Sequence, residues 1–108
     1  MIFDTQTLTR IIERGFELSM NGSLPPEVRA EYLAHGKRLR EQLVRLLGAR
    51  FDAEAAEFKK ATATMHETHH ALAQAADDLN EVLQVVGRLG ELASDLEQAL
   101  EVAGRVIA

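Results

Sequence analysis

The sequence predicts an all-α fold, an antiparallel bundle of three to four helices. Three observations carry this expectation. The 108 residues suffice for one domain with one core. Aromatics are few, with four Phe, one Tyr and no Trp, so Leu, Val, Ile and Ala must fill the interior, as they do between helices. Apolar residues recur at three- and four-residue spacing along most of the chain, and nowhere alternate as in a half-buried strand.

The first helix is predicted over about 4–20. Asp4 is a good N-cap, Phe3 can staple onto Leu8, and Leu8, Ile11, Ile12 and Phe16 follow at helical spacing. Asn21-Gly22 ends the helix. Pro25-Pro26 then opens a second helix over about 26–47, since proline is tolerated in a first turn. Its apolar positions are Val28, Tyr32, Leu39, Leu43, Leu46 and Leu47, with Gly36 on the same stripe, and Gly48 is its stop.

Phe51-Asp52 repeats the Phe3-Asp4 device and predicts a helix start at 53. Phe58, Met65, Leu72, Leu79 and Val86 are then spaced by seven, flanked by Ala61, Thr68, Ala75, Val82 and Leu89. With no glycine or proline inside it, this seam predicts one long helix over about 53–86, about 51 Å long. Gly87 and Gly90 together cost about 2 kcal/mol in a continuous helix, which places a turn there and a last helix over about 91–107. Ser94-x-x-Glu97 resembles a capping box for that last helix, although the seven-residue phase continues beyond it.

A helix of about 51 Å beside one of about 33 Å leaves the seam overhanging its neighbour. The residues expected at an interface are Phe58, Met65, His69, Leu72, Leu79, Val82, Leu83 and Val86, and the expected occupant is a second copy of the chain, giving a coiled-coil homodimer.

The net charge is −5, and the whole is too acidic for a dedicated nucleic-acid binder. The charge is uneven. Residues 1–50 carry eight Lys/Arg and six Asp/Glu, whereas residues 51–108 carry four and eleven. The halves can therefore pair with one another. The basic stretch 35–50, with Lys37, Arg38, Arg40 and Arg45, either meets the acidic half of its own chain or faces an acidic protein partner. Cysteine is absent, which suits a reducing compartment, and no apolar run approaches the length of a membrane span. These features predict a cytoplasmic protein without a membrane segment.

His66-Glu67-Thr68-His69-His70 matches the H-E-x-x-H pattern of zinc proteases. His66 and His70 are one helical turn apart and form half of a metal site. The sheet and the downstream third ligand of such an enzyme have no counterpart in the sequence. There is also no phosphate-binding loop and no nucleophile elbow. No cofactor and no catalytic residue is assigned. The expected function is non-enzymatic protein–protein interaction, of the adaptor, chaperone, immunity or anti-activator type. A metal-binding or metal-sensing bundle using His66 and His70 stands second.

Overall fold

Asp4 begins the first helix through its side chain. In the computed structural model, which describes the backbone of residues 2–107 and the side chains of residues 2–103, its carboxylate accepts from the Thr7 amide at 3.2 Å and the Thr7 hydroxyl at 2.7 Å. These bonds hold the Asp4 carboxyl below its ordinary pKa, and the charge of nearby His66 adds to them. The helix, α1, is Thr5–Ser19; α2 is Pro26–Leu47, α3 is Ala56–Ala75 and α4 is Leu79–Ile107. No strand occurs among the described residues.

Two expected boundaries are corrected. The helix predicted over 53–86 is two helices. The chain turns at residues 76–78, where Ala76 takes φ 44° and ψ −117°. Asp78 restarts it. Its carboxylate accepts from the Asn80 amide at 3.0 Å and from the Glu81 amide at 3.4 Å, an N-cap arrangement. Conversely, Gly87 and Gly90 lie inside α4 without breaking it. Ser94 is mid-helix, so Ser94-x-x-Glu97 is no capping box. Asp52 also differs from expectation: it accepts from the Glu54 amide at 2.9 Å in a turn, and α3 begins only at Ala56.

The glycines are tolerated in α4 for different reasons. A side chain at Gly87 would meet nothing within 4 Å, so this glycine only forfeits helix propensity. At Gly90 an added Cβ would come 3.1 Å from Cε1 of His35, so the bare helix surface lets α2 approach. Gly36 does the same for α1, with the Phe16 ring as close as 3.0 Å to where its Cβ would lie.

The break folds the heptad seam back on itself. Phe58, Ala61, Met65, Thr68, Leu72 and Ala75 are the buried face of α3, and Val82, Val86, Leu89, Ala93, Leu96 and Leu100 belong to the buried face of α4. The overhang inferred from one 51 Å helix therefore does not exist, and the argument for a homodimer that rested on it falls.

The neighbouring pairs are α1 with α2, α3 with α4, α2 with α4, and α1 with α3. Tyr32 bonds Val82, Gln42 bonds Ala93 and Arg45 pairs with Glu97, so α2 and α4 run in the same direction. Phe3 meets Phe58 edge to face at one end of α1, and Arg14 reaches the Ala76 carbonyl towards the other, so α1 and α3 are also parallel. The fold is two helical hairpins laid side by side. Phe3, Phe51 and Phe58 close one end, with ring centroids 5.1–6.3 Å apart. The molecule is 46 Å long, about the length of α4.

The uneven charge of the sequence matches these hairpins. The basic half forms α1 and α2, and the acidic half forms α3 and α4. Arg14–Asp77 and Arg45–Glu97 join them.

Candidate functional site

The histidines stand apart from one another in environment. His66 and His70 are exposed on α3, and His69 is half-buried. His69 borders a cleft of about 140 Å³ with Arg10, Arg14, Leu72 and Ala73, between α3 and α1. It therefore faces its own first helix. Among the described residues, no three His, Asp or Glu side chains come together to hold a metal ion, so His66 and His70 have no third ligand among them.

Of the residues expected at an interface, Phe58, Met65, Leu72, Val82 and Val86 are buried in the core of the single chain. This corrects their assignment. The physical reason is the turn at residues 76–78, which supplies from α4 the apolar surface that a partner was expected to provide. Leu79 and Leu83, at the start of α4, keep 40% and 37% of their surface.

Arg45, exposed like the other cations of this stretch, pairs within its own chain. Its guanidinium donates to both Glu97 carboxylate oxygens, at 3.1 and 2.9 Å. Beside it, buried Gln42 donates to the Ala93 carbonyl at 2.8 Å. This edge of α2 is therefore fastened to α4. Lys37, Arg38 and Arg40 are exposed, and among the described residues none of them pairs with a carboxylate. Arg40 instead lies over the Phe16 ring, 5.4 Å from its centroid.

A feature missing from the sequence-based expectation lies between these groups. Leu33, Lys37, Arg40, Val44 and Leu47 follow one another at spacings of four, three, four and three, so they form one stripe along α2. It lies on the exposed side of α2, beside the stripe that packs into the core. Val44 and Leu47 retain 68% and 66% of their surface, and Leu33 39%. Leu47, expected in the core, is thus an exposed residue. Ile2, 66% exposed, meets Leu47 across a shallow cleft with Gly48, Ala49 and Arg50. The spacing was present in the sequence, but Lys37 and Arg40 occupy its centre and conceal it from an apolar count.

An open groove of about 500 Å³ between α3 and α4 is lined by Lys60, Thr64, Gly90, Glu91, Ser94 and Asp95. The Thr64 hydroxyl donates to Asp95 at 2.7 Å, and Lys60 lies 3.6 Å from the same carboxylate. Thr64, Lys60 and Asp95 are thus engaged with one another.

Comparisons with known protein families, with curated proteins and with solved structures gave no match. Among the described residues, no helix is long and apolar enough to cross a membrane.

Proposed function

We propose that this protein is a non-enzymatic interaction module that binds an acidic protein partner on the outer face of α2. The supporting observation is the stripe itself. Val44 and Leu47 are two-thirds exposed, Leu47 adjoins exposed Ile2, and both share their helix face with Lys37 and Arg40, which pair with no carboxylate among the described residues. Apolar side chains of this size contribute about 1.5–3 kcal/mol each when fully buried, so a partner gains most by covering this patch. The cations favour a partner bearing carboxylates. Self-association through the same stripe would set Lys37 and Arg40 against their own copies.

The test is photo-crosslinking in the native cell, with a photoreactive amino acid at Val44 and, as control, at exposed Gln98 on α4. The proposal expects a heteromeric adduct at Val44 that is absent at Gln98 and lost when Leu47→Asp is added. Equal adducts at both positions, or an adduct with the chain itself, would overturn it.

A further inference from the structure

The α2 stripe also constrains the shape of what covers it. Resting on the reading of that face as a binding surface, we infer that the partner segment is an acidic amphipathic helix. It lies lengthwise on α2 with apolar side chains against Leu33, Val44 and Leu47 and carboxylates against Lys37 and Arg40.

The spacing is the first argument. Alternating steps of four and three residues are those of a helix–helix seam, in which each knob finds a hole on a facing helix of matching period. An extended peptide repeats its side chains every second residue, at about 6.6–6.8 Å, and slips out of register with such a stripe. From Leu33 to Leu47 the stripe runs about 21 Å along one uninterrupted helix, long enough for three turns of a partner.

Charge is the second. The centre of the seam is cationic and its ends are apolar. A partner with the same layout must therefore present acids in its middle and leucine-like residues at its ends. The Arg40 guanidinium already rests on the Phe16 ring, so less side-chain freedom is lost when a carboxylate reaches it. Lys37 can extend its ammonium past an apolar neighbour to the rim. Duplex nucleic acid fits less well. It offers no apolar counterpart to Val44, Leu47 and Ile2, and exposed Glu41, one helical turn from Lys37, flanks the stripe and would repel its phosphates.

The experiment uses the full chain and synthetic helical peptides of about three heptads. Two peptides carry the seam order Leu-Glu-Glu-Leu-Leu or its reverse, because the partner can lie parallel or antiparallel. A third has the same composition scrambled, and a labelled DNA duplex is the fourth probe. Fluorescence anisotropy is expected to show one seam order binding at least about tenfold tighter than the scramble. The double variant Lys37→Glu/Arg40→Glu, with its melting temperature checked, is expected to lose about tenfold for that peptide and to prefer one whose Glu residues are replaced by Lys. Equal binding of the scramble, absence of binding by both orders, or tighter binding of the duplex overturns the helical partner. If the Val44 adduct forms in cells while both peptides fail, the face stands and only the helical partner falls. If the adduct is absent as well, both fall.

Discussion

Tyr32 gives the most quantitative test of how the two hairpins are joined. Its side chain is fully buried, and its hydroxyl donates to the Val82 carbonyl at 2.6 Å, tying α2 to α4 near the start of the latter. Burial raises its pKa from 10.0 to about 12; Arg14 opposes the shift and Glu31 adds to it. The neutral phenol is the buried form. The stabilisation that depends on it is full below pH 10, declines as pH rises, and is gone above about 12. At 1.36 kcal/mol per unit, the loss over that window is on the order of 3 kcal/mol. Tyr32→Phe keeps the ring, removes the hydrogen bond and cannot ionise. At pH 7 it should be about 1 kcal/mol less stable, lowering Tm by about 4–8 °C. The same lysines and arginines are present in both proteins, so the difference between the two curves reports on Tyr32. The two stability curves are expected to cross near pH 11, with the variant the more stable above it. Urea unfolding by circular dichroism at pH 7, 10 and 11.5 measures this. Because the chain has one tyrosine, tyrosinate absorbance reports the same group directly. A tyrosinate midpoint near 10, or curves that never cross, would refute the buried hydroxyl and its link to α4.

Other substitutions probe the turn, the glycines and the core. Ala76→Gly should raise stability by about 1 kcal/mol in urea unfolding, since only glycine takes φ 44° with ψ −117° without strain; a loss would place the break elsewhere. Gly87→Ala should gain about 0.5–1 kcal/mol because its Cβ meets open space. Gly90→Ala should gain less, or lose, as His35 must give way; the reverse order of the two would mean that α2 does not approach α4 at Gly90. Met65→Ala should cost about 2–5 kcal/mol without changing the mass of the protein in sedimentation, because Met65 is fully buried within the single chain. A dissociating dimer would instead show Met65 at an interface between copies.

Much of this architecture was legible, and the misses have physical causes. α2 begins at Pro26 and ends at Leu47, as proline in a first turn and Gly48 beyond the last indicate. α1 is capped by Asp4, as its residue type suggests. The seven-residue seam identified core residues but not the helix to which they belong. Periodicity reports which side chains face inward, and it continued numerically through residues 76–78 although the chain reverses there. That turn contains no Gly or Pro and is made instead by a strained Ala76 and by Asp78 as N-cap. Asp78-x-x-Glu81 was the available signal, hidden inside an apparent heptad. The glycines misled in the opposite direction, because propensity counts their cost and not the close approach of His35. The same reliance on apolar residues hid the outer stripe of α2, where Lys37 and Arg40 stand at seam positions.

The most direct test of the central claim is to map the bound acidic helix on the protein by amide chemical-shift perturbation. The account predicts the largest changes at Leu33, Lys37, Arg40, Val44 and Leu47, with Ile2 and Phe16 beside them and the α3–α4 hairpin nearly unchanged. Changes centred instead on Leu79 and Leu83, or on the Lys60–Asp95 groove, would contradict it.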